Sequence, residues 1–210
     1  MTTLLSSRAQ SRDLHFNAPI NRPTSQRSNS PTHLLLATSA TSVAAQQAAP
    51  AATGLVADLA RDVAQVERKV IGLAKAVPAD KYAWRPGAGV RSVSDLVMHI
   101  TADNYLFPVI LGTPADPSTG ITSDYNTAQA FEKRQIPRDS AIAELERSFA
   151  FLKKSLSATP EAKLGEKISM FGQQFTTQQA WLLATVHLHE HLGQFIAYAR
   201  INDVKPPWSQ

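Results

Sequence analysis

The segment His187-Leu188-His189-Glu190-His191 places three of the chain's six histidines in five positions. Histidine is the side chain best suited to proton transfer near neutral pH and to holding divalent metals through a neutral imidazole. On a helix of about 3.6 residues per turn, His187 and His191 lie one above the other, while His189 points to nearly the opposite side. The stripe that carries the pair runs through Ala184, His187, His191, Gln194 and Tyr198. Beside it Trp181, Leu188, Leu192, Phe195 and Ala199 form an apolar stripe, so the pair is expected to face a protein interior. Two imidazoles so placed can converge on one ion at about 2.1 Å. Six histidines scattered at random would supply such a pair about one time in six, so the spacing by itself does not establish a metal site.

A third histidine, His99, sits in the run Val97-Met98-His99-Ile100 on an otherwise apolar helix face. A lone buried histidine is commonly a hydrogen-bonded core residue, yet bundle interiors also assemble metal sites from facing helices. Three neutral imidazoles, His99, His187 and His191, with one position left open would suit Zn²⁺, Ni²⁺, Mn²⁺ or Fe²⁺. Glu190 is rotated about 100° from His191 on the helix, and the pattern is not His-Glu-x-x-His, so a zincin-type protease is disfavoured. Glu190 reads as a surface carboxylate or as one that orients a ligand. Asp103, four residues after His99, and Gln194, three after His191, are further candidates for orienting ligands or handling protons; an ordinary polar helix position is the competing reading for each. The chain has no cysteine, which excludes disulfides, thiolate ligands and a cysteine nucleophile.

These residues need helices to position them. From Leu55 to Val77, Leu55, Leu59, Val63, Val66, Val70 and Leu73 recur at spacings of three and four, which predicts a first amphipathic helix. Ser92 with Asp95 fits a capping box opening a second helix, which carries His99 and stops near Gly112 and Pro114, with Pro108 expected to kink or shorten its last turn. Residues 113–138, punctuated by Pro114, Pro117, Gly120 and Pro137, read as a long crossover loop with one helical piece near Thr127–Gln135. Asp139 is expected to cap a third helix with Ile142, Leu145, Phe149, Leu152 and Leu156 on one stripe. Phe171 and Phe175 around Gly172 suggest a small hairpin or extended turn, and Thr176 with Gln179 opens a fourth helix running to about Asn202. The economical fold is all-α: an antiparallel four-helix bundle with a long crossover, occupying residues 54–210. Trp84, Tyr105 and Trp208 are expected to pack rather than to line a site, and Val204–Ser209 to lie back over the bundle.

Residues 1–53 read as a separate, disordered tail rich in Ser, Asn, Pro and Arg, in which His15 and His33 receive no role. Within it, residues 33–45 form a signal-like segment, the alternative being a low-complexity linker. The protein is expected to be exported or periplasmic if that segment is a signal, and cytoplasmic otherwise. The formal net charge of +4 lies mostly in this tail, at +3, so the remainder is nearly neutral and has no basic stripe with interleaved aromatics. That argues against a nucleic-acid partner. No apolar run approaches the roughly 18 residues needed to span a bilayer.

The segments "YAWRPGAGVRSVSDLVMHITADNY" and "HLHEHLGQFIAYARINDVKPPWS" resemble the DinB/YfiT-like family of metalloenzymes, and the resemblance covers about residues 55–209. It implies a four-helix bundle with a long crossover and a divalent metal on three histidines, matched here by His99, His187 and His191. It also implies a small-molecule substrate, in some relatives together with bacillithiol or mycothiol as the thiol of an S-transferase. Many relatives read His-His-Arg-Gly-Gln around the last ligand, whereas this chain has "EHLGQ", with Leu192 in the arginine's place, which weakens any carry-over of thiol recognition. The expected activities are therefore S-transfer with a low-molecular-weight thiol or metal-assisted hydrolysis. The alternative is a non-catalytic metal-binding or metal-stabilised bundle, or a homodimer whose site has no turnover.

Overall fold

The computed structural model describes residues 53–209. The expected tail, Thr53 apart, and its signal-like segment at 33–45 lie outside the described residues. Five helices and one hairpin follow in the order α1 (Leu55–Ala76), α2 (Val93–Ile110), α3 (Tyr125–Glu132), α4 (Arg138–Ser157), β1 (Lys167–Met170), β2 (Gln173–Thr176) and α5 (Thr177–Ile201). The four long helices form the predicted bundle, and α3 rides in the crossover between α2 and α4. Helix α1 packs against α4 and α5, and α2 packs against α3, α4 and α5. The two helices that carry the histidines, α2 and α5, are therefore neighbours. None of the described helices is long and apolar enough to cross a membrane.

Helix α2 is buried without interruption from Leu96 to Pro108, polar residues included. A helix buried on all sides must satisfy its polar groups internally. Asn104 does so by donating to Ser148 Oγ on α4 at 3.0 Å, and that hydroxyl donates in turn to the Leu145 carbonyl at 2.7 Å. The capping box of Ser92 and Asp95 is formed as expected. Pro108 removes one amide donor, but it stands so near the end that the helix continues to Ile110 without it.

Helix α1 is closed at both ends by side chains distant in sequence. Its N-cap, Gly54, offers no side chain, and the Val56 amide donates to Glu161 Oε1 at 2.9 Å instead. Gly54 has φ 110°, and a Cβ there would stand 2.6 Å from that same oxygen, so both backbone and space select glycine. At the other end Arg138 donates to the carbonyls of Val77 at 3.1 Å and Lys75 at 2.6 Å, and the Tyr82 hydroxyl donates to the carbonyl of Ala74 at 2.6 Å. A guanidinium on a helix C-terminus satisfies orphan carbonyls and the negative end of the dipole together.

Two expectations are corrected. The helical piece of the crossover spans Tyr125–Glu132, because Asp124 caps it by accepting from the Asn126 amide at 2.9 Å. Helix α4 opens one residue before Asp139, with Pro137 as N-cap, and Asp139 pairs with Arg138 in the first turn rather than capping it. Of the two readings of the segment around Gly172, the hairpin is the one formed, antiparallel with Met170 facing Gln173. Its two-residue turn puts Phe171 at φ 52° and Gly172 at φ 74°, the left-handed pair that matches the twist of a tight hairpin. At the chain's end Pro207 lies 3.6 Å from the position a Cβ on Gly72 would take, and Trp208 sits under the Lys69 ammonium, so the last segment does lie back over α1.

Candidate metal centre

His99 projects from α2, and His187 and His191 project from α5. They meet so that one ring nitrogen from each lies within 4.8 Å of the others. His99 Nε2 and His191 Nε2 are 3.0 Å apart. His99 and His191 are buried, and His187 is partly open. The division of the cluster follows helix geometry: His189 is exposed on the other side of α5 and pairs with Asp62 of α1 at 2.7 Å.

What lies behind each ring decides its tautomer. His99 Nδ1 is 3.0 Å from Glu132 Oε2, which can only accept, and 3.2 Å from Arg91 Nη2, which can only donate; the shorter contact, with the carboxylate, puts the proton on Nδ1. Arg91 braces that carboxylate, donating from Nε to Glu132 Oε1 at 2.7 Å. Burial alone would push the Glu132 carboxyl up, but hydrogen bonds from His99 and Arg91, and their charges, hold it down at about 2. His191 Nδ1 donates to Gln194 Oε1 at 2.9 Å, and Gln194 Nε2 donates to the Tyr198 hydroxyl at 2.8 Å. Tyr198 is itself packed edge-on against Trp84. Burial pushes His191 down to about 4, with the charges of His187 and His99 acting in the same direction and Gln194 and Glu190 against it.

With both Nδ1 atoms protonated, the Nε2 lone pairs of His99 and His191 face each other at 3.0 Å. Two such acceptors repel unless a proton or a cation stands between them. Three imidazoles converging in this way, two of them with buried lone pairs turned toward each other, form a donor set that fits a divalent metal. Asp103, one turn after His99, directs Oδ2 into the same space, 2.6 Å from His187 Nε2 and 3.4 Å from His99 Nε2.

Of the candidate orienting residues, Asp103 lies 2.6 Å from His187 Nε2 and Gln194 2.9 Å from His191 Nδ1. Glu190 is exposed and reaches His191 through its charge rather than a hydrogen bond. Tyr105 donates to Glu144 at 2.8 Å and Trp208 lies against α1, so neither borders the cluster. Sequence reasoning missed Glu132 and Arg91. The available signal was an acid inside the helical piece of a long crossover, whose partner only the fold identifies. It also missed that His99, Asp103 and His187 form one wall of a cavity of about 540 Å³.

Residues 62–195 match the sequence profile of the DinB superfamily. Among solved structures, a DinB-like protein from Bacillus subtilis superposes with a TM-score of 0.54 at 19% identity, covering 70% of this chain and 93% of its own. An uncharacterised protein from Escherichia coli UTI89 gives 0.54 at 18%, covering 71% and 95%. At such identities these likenesses speak for the fold alone. No curated protein matches the chain. The profile spans well over half of the sequence, and the chain belongs to the DinB superfamily.

Proposed function

We propose that this protein is a divalent-metal-dependent enzyme acting on a small molecule, with His99, His187 and His191 as the ligands. The observation that supports catalysis over a bracing role is that His99, His187 and Asp103 form part of the wall of a cavity large enough for a substrate. A metal that served only to tie α2 to α5 would be closed off on every side. A divalent ion bound there supplies Lewis acidity, and with it a lowered pKa for a water, thiol or substrate hydroxyl. The chain's own residues do the rest. Glu132 and Gln194 fix two ligand rings through their Nδ1 protons. Asp103 is the group assigned to accept the nucleophile's proton, a reading supported by Oδ2 lying 2.6 Å from His187 Nε2 and 3.4 Å from His99 Nε2.

Water is the first choice of nucleophile, making the reaction a hydrolysis. S-transfer is the second reading, supported by the resemblance to thiol-dependent relatives, and its thiol must come from a cosubstrate because the chain has no cysteine. Leu192, where those relatives carry arginine, is buried and apolar and offers no charge to an anionic thiol. The test is metal analysis of the purified protein, then turnover of neutral esters, amides and electrophiles with and without bacillithiol, mycothiol or glutathione. Asp103→Asn is expected to keep its metal and lose at least about 100-fold in kcat. A wild-type chain that takes up no Zn²⁺, Ni²⁺, Mn²⁺ or Fe²⁺, or an Asp103→Asn variant with full activity, would sink this reading.

A further inference from the structure

The cavity beside the three histidines has a second wall, made of Phe107 on α2, Tyr125 on α3, Phe171 at the tip of the hairpin and Leu183 on α5. The aromatic rings are already arranged edge to face: Phe107 and Phe171 have centroids 6.4 Å apart at 86°, and Tyr125 and Phe171 5.6 Å apart at 83°. Three of these residues are also among the large apolar side chains left open to solvent, Tyr125 at 42%, Phe171 at 49% and Leu183 at 37%. Phe107 is buried, while Tyr125, Phe171 and Leu183 stay open at the cavity mouth, the rings packed edge to face; an exposed apolar wall beside a cavity is the form of a site that awaits an apolar occupant. Among the described residues none of those lining this cavity is a lysine or arginine, and Asp103 adds a negative charge. Metal apart, an anionic ligand would meet no counter-charge there and one carboxylate.

We infer that this wall is a subsite for an uncharged aromatic group, packed against Phe107, Tyr125 and Phe171, and that the substrate of the metal centre carries such a group. The inference rests on the reading of the cavity as the substrate side of the centre. The hairpin then has a purpose beyond connecting α4 to α5. Its left-handed turn, with Phe171 at φ 52°, presents that ring over the cavity mouth from a different element than the other two.

The test uses the full-length chain stripped of metal, with 2-naphthol and 2-naphthoate as probes followed by titration calorimetry. Without metal, the wall and not the ion is interrogated, so failure here is separable from failure to bind metal. The expected result is binding of 2-naphthol at least tenfold tighter than 2-naphthoate. Phe171→Asn removes the ring while favouring the left-handed backbone. It should weaken 2-naphthol five- to tenfold at an unchanged or raised melting temperature, and Leu183→Gln should weaken it to a lesser extent. Naphthoate binding as tightly as naphthol, no detectable binding of either, or Phe171→Asn binding like wild type would each overturn the inference. So would a wild-type dimer that Phe171→Asn converts to a monomer without changing naphthol affinity, which would make the aromatic rim an interface between copies.

Discussion

At the scale of single residues, the centre depends on groups that do not touch the proposed ion. Gln194 keeps His191 in the tautomer that turns Nε2 toward His99. Replacing it by leucine removes the acceptor of the Nδ1 proton and should cost about 10- to 100-fold in metal affinity. Competition against a chromophoric chelator measures this, and an affinity within twofold of wild type would show that packing alone orients the ring. The depressed pKa of His191 makes a second expectation. In the unfolded chain a histidine titrates near its ordinary value of about 6.5, whereas in the folded, metal-free protein His191 titrates at about 4. Between these values the unfolded state binds more protons, so stability is full above about pH 6.5 and is lost as the pH falls toward 4. The loss is at most about 3 kcal/mol. Glu132 contributes in a lower window, since its carboxyl at about 2 lies below its ordinary value and its share is lost only as pH falls through that range. Urea unfolding in chelator at pH 7, 5.5 and 4.5 should therefore show a decline already above pH 5, and His191→Gln should flatten it. The inward pair and the outward His189 were legible in the sequence, because helical periodicity alone divides them. Glu132 was not, because its bond to His99 joins residues 33 apart across a crossover with no periodicity to read.

At the scale of elements, the pattern of long helices was legible wherever burial is one-sided or a cap is local. The boxes at Ser92 and Thr176 are formed, and the stripe of Ile142, Leu145, Phe149, Leu152 and Leu156 is the buried face of α4. Ends closed by distant partners were hidden. The C-terminus of α1 is finished by Arg138, more than 60 residues away, and its N-terminus by Glu161, 105 residues from the amide it accepts from. This also explains the misplaced start of α4: Arg138 is drawn into the first turn by the α1 carbonyls, and Asp139 lies beside it as a partner for the guanidinium. Arg138→Met keeps an unbranched apolar side chain and removes the guanidinium that lies over Tyr82, with its charge and donors. It is expected to destabilise the protein by about 1–3 kcal/mol through the carbonyls left unpaired at the helix end. A urea midpoint shifted by less than about 0.3 kcal/mol equivalent would mean that water satisfies those carbonyls equally well. Metal affinity should not change, since α1 contributes no ligand.

At the scale of the whole molecule, the question is how far folding and metal binding are one process. Helices α2 and α5 meet along an apolar core that is continuous through Leu96, Ile100, Leu188, Leu192 and Phe195, so the bundle has its own reason to hold the ligands together. Two of the rings are positioned by hydrogen bonds to protein groups rather than by each other alone. A metal site built on this cluster would thus be preformed, unlike that of a small domain that is unfolded without its metal. An ion that binds only the native state at 100 times its Kd adds about 2.7 kcal/mol, and for a bundle of this size each kcal/mol moves Tm by roughly 2–4 °C. Saturating metal should therefore raise Tm by about 5–11 °C over a chain stripped with chelator, which should itself unfold cooperatively with full helical circular dichroism. His187→Ala, at the more open ligand, should abolish the metal-induced rise and leave the metal-free Tm within about 2 °C of wild type. If the stripped wild-type chain is instead largely unfolded at 25 °C, the ion is a structural brace, and the proposal of an enzyme would lose its main support.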